Sequence, residues 1–167
     1  FPNTKRPLIV VNAGGFSADN FIPIREREKH YENIANALIS LDTSGVELIP
    51  QTMPPFPWHF GGQRFHNLFM DPAEISKFCN EYGFRICLDI SHSKLACNYF
   101  KWSLSNFIEQ VSPYTAHLHV VDARGHRDEG LQIGAGEIDF FELAKTLEQY
   151  LPGTSFIPEI WQGHKNA

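Results

Sequence analysis

The chain has 167 residues, 43% of them hydrophobic and 20% charged, with a formal net charge of −5. That composition describes one ordinary globular domain and excludes a disordered or fibrous chain. The acidic balance gives no general attraction to nucleic acid or to an anionic membrane, no apolar run is long enough to span a bilayer, and Cys79, Cys87 and Cys97 without CxxC spacing fit reduced thiols in a cytoplasmic protein.

The first short apolar run, residues 8–12, ends at Asn12 and predicts a strand. Tyr31, Ile34, Leu38 and Leu41 then recur at three- and four-residue steps, the period of a helix with one apolar face. A second strand, 46–51, ends at Gln51. The long connection over residues 52–70 carries Pro54, Phe56, Trp58, His59, Gly61 and Gly62, a composition that suits either a lid over a substrate or a loop docked on the rim. Asp71-Pro72-Ala73-Glu74 reads as an N-cap, a proline at the first helical position and a carboxylate reaching back; Gly83 stops that helix.

The third strand, 84–89, ends at Asp89, with His92 where the chain turns toward a helix carrying Trp102, Phe107, Ile108 and Val111. Asp89 and His92 suit a divalent cation; taken as an isolated DxxH they read first as a cap of the next helix and a surface imidazole. The fourth strand, 116–121, carries His117 and His119 on one face; His119 is the outer, better ligand and His117 reads as a core residue. Asp122 either orients a ligating imidazole or caps a turn. Arg124, His126 and Arg127 suit a phosphate or carboxylate, or a solvated loop. Gly134-Ala135-Gly136 follows a charged loop and not a strand, which argues against a dinucleotide site. Asp139 and Glu142 cap a helix with Leu143, Leu147 and Leu151, stopped by Pro152-Gly153. In the fifth strand, 156–160, Glu159 stands among apolar residues, where a carboxylate needs a partner or a cation. Trp161 suits a sugar ring or the core.

Strands alternating with helices predict parallel βαβ units, and near-continuous apolar strands predict a sheet covered on both faces. The spacing of roughly 30 to 40 residues is that of a (β/α)8 barrel, of which eight units take ~250 residues. The expectation is therefore a C-terminal portion of such a barrel, about five βα units over residues 1–167, corresponding to strands 4 to 8. Three earlier units, or a second copy of the chain, are expected to complete it. Polar residues at the strand ends would then converge on one rim.

In order, Val10-Val11-Asn12-Ala13-Gly14-Gly15, Pro50-Gln51-Thr52-Met53-Pro54, Leu88-Asp89-Ile90-Ser91-His92, His117-Leu118-His119-Val120-Val121-Asp122, Ile133-Gly134-Ala135-Gly136-Glu137-Ile138-Asp139 and Pro158-Glu159-Ile160 resemble the xylose-isomerase-like superfamily of sugar isomerases, epimerases and apurinic endonucleases. The resemblance implies a divalent metal ion (Mn, Co, Zn or Mg) at the positions of Gln51, Asp89, His119 and Glu159. It implies that Glu159 acts as a base and matches His92 to a residue that contacts substrate in the epimerases or metal in the endonuclease, so Glu159 and His92 are the expected catalytic residues. Asn12, Trp58, His59, Arg124 and Trp161, from the strand ends and loops, are expected around a sugar or sugar-phosphate substrate. Two departures count against full activity: Gln51 replaces a Glu, and Asn12 stands where many members have a His. Gln51 cannot accept a proton, and its neutral oxygen weakens or abolishes metal binding. Isomerase or epimerase chemistry is the leading expectation. A non-catalytic sugar-binding or assembly barrel and a metal-dependent phosphodiesterase are the alternatives; Gly130 where a second His is expected disfavours the last.

Overall fold

The computed structural model describes residues 6–59 and 62–163, the side chains of Trp58, His59 and Gln63 excepted. Its backbone is β1 (Leu8–Val11), α1 (Ile24–Ile39), β2 (Glu47–Pro50), α2 (Pro72–Tyr82), β3 (Ile86–Asp89), α3 (Ile90–Phe100), α4 (Leu104–Val111), β4 (Thr115–His119), α5 (Phe140–Tyr150) and β5 (Ser155–Ile157). β1 pairs with β2, and β3, β4 and β5 pair in that order, all in parallel; the Gln51 to Cys87 bridge joins the two groups. Each strand lies beside its neighbour in sequence, with no point at which the order reverses. That is the order of a barrel wall and not of a doubly wound sheet.

Burial follows position in the wall. All four residues of β3 are buried, whereas all three of β5 are exposed. A central parallel strand is covered on both faces, and an edge strand is not. β5 is shorter than the sequence predicts, ending at Ile157, because Pro158 has no N–H to extend the ladder. Glu159 therefore lies beyond the strand and not within it.

The helices pack on the outer face around Ile75, Phe78, Phe107, Ile108 and Leu143. Tyr31, Phe69 and Phe78 meet edge-to-face or tilted, and Phe84 stacks on Phe78 with ring centroids 5.4 Å apart. Phe78 is among the largest fully buried side chains, so Phe78→Ala should cost about 3–5 kcal/mol in denaturant unfolding. A cost below about 1 kcal/mol would mean that the site collapses onto the cavity.

α2 is capped much as its sequence predicts. The Asp71 carboxylate accepts from Ala73 N at 2.8 Å, Pro72 opens the helix, and Gly83 ends it at φ 74. Glu74, however, does not reach back to the cap. It accepts from Arg27 and from the Tyr31 hydroxyl, each at 3.3 Å, and burial raises its carboxyl above the usual range. α1 ends at Ile39, so Leu41 falls beyond the helix and is exposed; Tyr31 and Ala35 carry the buried stripe. α3 is an extra helix between β3 and α4. No helix among the described residues is long and apolar enough to cross a membrane.

Candidate metal centre

Register brings the strand-end side chains together. Asp89 pairs with His119 across β3 and β4, His119 with Ile157 across β4 and β5, and Gln51 bridges to Cys87. Side chains alternate along a strand, so Gln51, Cys87, Asp89, His119 and, two residues past Ile157, Glu159 share one face. One ligating atom each from Asp89, His119 and Glu159 lies within 4.8 Å of the others. His119 Nδ1 is 2.6 Å from Glu159 Oε2 and 3.7 Å from Asp89 Oδ2. Two carboxylate oxygens and one imidazole are a fitting donor set for Mn, Co, Zn or Fe, and a poorer one for Mg.

Asp89 divides its carboxylate between two duties. Oδ1 caps α3, accepting from His92 N and Ser91 Oγ at 2.9 Å each, while Oδ2 faces Gln51 and His119. The cap expected of Asp89 is made by one oxygen, and the other is left facing the cluster with His119. Burial opposes its charge, but the His92 charge and the hydrogen bonds from His119, His92 N and Ser91 outweigh that, and its carboxyl is held below the usual value.

His92 is committed at both ring nitrogens. Nδ1 lies 2.8 Å from Thr52 O, and Nε2 lies 3.3 Å from Glu129 Oε2. Burial works against its charge, yet Asp89 and Glu129 push it up to about 9. Charged, it donates to both partners and leaves no lone pair for a metal. His119 is raised as well, because Asp89, Cys87 and Glu159 outweigh its burial. Raised histidines stabilise the fold fully below their unfolded value of about 6.5 and lose that contribution as pH climbs through the folded value. Metal-free protein should therefore be less stable at pH 9 than at pH 6, by up to about 3 kcal/mol for His92. Urea midpoints at the two pH values test this, and a His92→Ala slope equal to that of the wild type would refute His92's part.

Glu129 carried no signal in the sequence, and Thr52 none beyond its place in the Gln51 motif. The fully buried Thr52 hydroxyl accepts from Asp89 N at 2.9 Å and from Ser93 Oγ at 3.2 Å, pinning the ends of β2 and β3 together. Thr52→Val leaves the Asp89 N–H unpaired and should cost about 1–3 kcal/mol in thermal or urea unfolding. An unchanged midpoint would rule that out. Glu129 reaches His92 from the hairpin of strands Asp122–Arg124 and Asp128–Leu131, 37 residues away in sequence.

The remaining predicted residues are placed differently. Asn12 follows β1 and is exposed. Arg124 is exposed and pairs with Asp128 at 3.1 Å. Trp161 belongs to no core; it is 75% exposed, and its N–H donates to Gly130 O at 2.8 Å. The substrate contacts expected of the Trp58 and His59 side chains lie outside the described residues. In the long connection, Phe56 packs against Phe21, Phe65 and Tyr99, so its ring docks the loop on neighbouring segments. His117 is half-buried and bonds Ser155 Oγ of the edge strand β5 at 2.8 Å, and so is not a core residue.

Asp122 does not orient an imidazole. Its buried carboxylate accepts four backbone N–H groups, from Ala123, Gly134, Gly136 and Ile138, at 2.8–3.1 Å. The glycine-rich turn thus folds its amides around an internal anion. Gly136 is required there, because a Cβ would collide with Asp122 Oδ1 and Ala123 O.

The profile of the xylose isomerase-like TIM barrel family matches residues 6–167. An uncharacterized protein of Methanocaldococcus jannaschii is 31% identical over 128 residues, covering 71% of this chain and 45% of that protein. Among solved structures, a D-tagatose 3-epimerase-like protein superposes with TM-score 0.66 at 20% identity, covering 96% of this chain and 58% of that one. L-ribulose 3-epimerase gives 0.67 at 14%, covering 95% and 49%; the 3-keto-D-glucoside 4-epimerase of E. coli gives 0.60 at 16%, covering 92% and 56%. The chain thus spans about half the length of these relatives. With strand order, register and the sequence match in agreement, the chain belongs to the xylose isomerase-like TIM barrel family.

Proposed function

We propose that this chain is the metal-binding part of a cytoplasmic sugar or sugar-phosphate isomerase or epimerase, its five strands corresponding to strands 4 to 8 of the barrel. The observation that carries the reading is the convergence of Asp89, His119 and Glu159 on one face. The epimerases with the same fold support the substrate class. When bound, a divalent cation would polarise a carbonyl oxygen and stabilise charge developing beside it.

The chain's own residues then divide the work. Glu159, with its side chain 55% exposed, is the group able to take a proton from the carbon next to that carbonyl. His119 holds its Oε2 at 2.6 Å. Asp89 is fixed by its cap and by Thr52. Gln51 offers no proton acceptor, so a proton removed by Glu159 returns from the same side.

The expected result is slow exchange of that proton with solvent and little inversion. Incubation with Mn2+ and D-tagatose or L-ribulose in D2O, followed by NMR, tests it. Deuterium should enter with retention and should disappear in Glu159→Gln. The amide at position 51 also favours a second reading, a sugar-binding barrel without turnover; absence of exchange together with saturable sugar binding would select it.

A further inference from the structure

Gln51 Nε2 stands 2.8 Å from Asp89 Oδ2 and 3.1 Å from His119 Nδ1. These are two of the three atoms that would take the cation. The side chain is buried, and its amide N–H donates to the Asp89 Oδ2 lone pair that a cation needs, while the same nitrogen abuts His119 Nδ1. We infer that Gln51 is a latch and not a ligand: its amide N–H closes the site in the metal-free protein, and a cation binds only after the amide has withdrawn from Asp89 Oδ2. The inference rests on the reading of Asp89, His119 and Glu159 as a metal centre, and it makes a statement opposite to that of a weak oxygen ligand.

The physical argument is competition for one acceptor. Asp89 Oδ1 is already used by Ser91 and the α3 cap, so Oδ2 is the free oxygen of that carboxylate, and Gln51 holds it with a hydrogen bond to a charged group. Burial keeps water from replacing the donor, so the amide and the cation exclude one another at the same lone pair. A glutamine that ligated through Oε1 would lower the dissociation constant; a glutamine that donates through Nε2 raises it. Removing the side chain separates the two cases, because one predicts weaker binding and the other tighter.

Mn2+ titration of the whole chain, read by the loss of the free-ion EPR signal, is the test. It is run on the wild type, Gln51→Ala and Asp89→Ala, with thermal melts of each in the presence and absence of Mn2+. Gln51→Ala should bind Mn2+ roughly tenfold more tightly than the wild type, the scale of one hydrogen bond to a charge. Its metal-free melting temperature should fall, and its rise on adding Mn2+ should exceed that of the wild type. Gln51→Met, which keeps the volume and lacks the donor, should behave in the same way if the alanine variant does not fold. Equal or weaker binding in both variants, with Asp89→Ala still abolishing it, overturns the latch and leaves the metal centre standing. No Asp89-dependent binding in any variant overturns both.

Discussion

Asp122→Ala should destabilise the protein by about 4 kcal/mol or more, because four backbone N–H groups lose their acceptor together and each buried, unpaired group costs about 1–3 kcal/mol. Domains of this kind are stable by about 5–15 kcal/mol, so the variant should lie near the unfolding threshold at ordinary temperature. Asp122→Asn is the informative companion. Its single oxygen can still accept two of the bonds, while its amide N–H groups face the other donors, and it should lie between wild type and alanine. Urea unfolding followed by circular dichroism measures both. A loss below about 1 kcal/mol for alanine would mean that water satisfies Gly134, Gly136 and Ile138 N–H, and that the carboxylate does not organise the turn.

Gln51→Glu should raise Mn2+ affinity by about two orders of magnitude, since a third carboxylate adds a charged oxygen and removes the amide donor from Asp89 Oδ2. The metal-free variant should in turn be less stable than the wild type, with three carboxylates facing one imidazole. Under the proposed chemistry epimer formation is expected in this variant, because a carboxyl at residue 51 supplies a second group able to exchange a proton with the substrate carbon. Calorimetric titration with Mn2+ reads the first effect and NMR of the ketose the second. Unchanged affinity would remove residue 51 from the neighbourhood of the cation and with it the assignment of the position.

Much of the architecture was legible because it is written in local rules. The caps at Asp71 and Asp139, the stop at Gly83 and the apolar runs of the five strands each depend on residues within a few positions, and they mark the elements to within one or two residues except at the C-terminal edge. There, 156–160 has the composition of a strand, but Pro158 and the lack of a pairing neighbour on the outer side leave Ser155–Ile157. The α3 helix was missed for a similar reason: its hydrophobic stripe is weak, and its start is a cap made by a residue already assigned to the site.

The sequence by itself determined which residue types stand at the strand ends and, through alternation, which residues of one strand share a face, as His117 and His119 do. That follows from a period of two and needs no partner. The pairing register then put Gln51, Asp89, His119 and Glu159 on one face. Only the tertiary structure decided what each polar atom does. Whether Asp89 caps or ligates depends on two oxygens facing different neighbours. Whether Asp122 serves an imidazole or a turn depends on amides 12 to 16 residues away. His92 is closed by Thr52 and Glu129, neither adjacent in sequence. Hydrogen bonds are short and directional, so their pairing is fixed by where folding brings donors and acceptors, and a one-dimensional pattern carries no record of that.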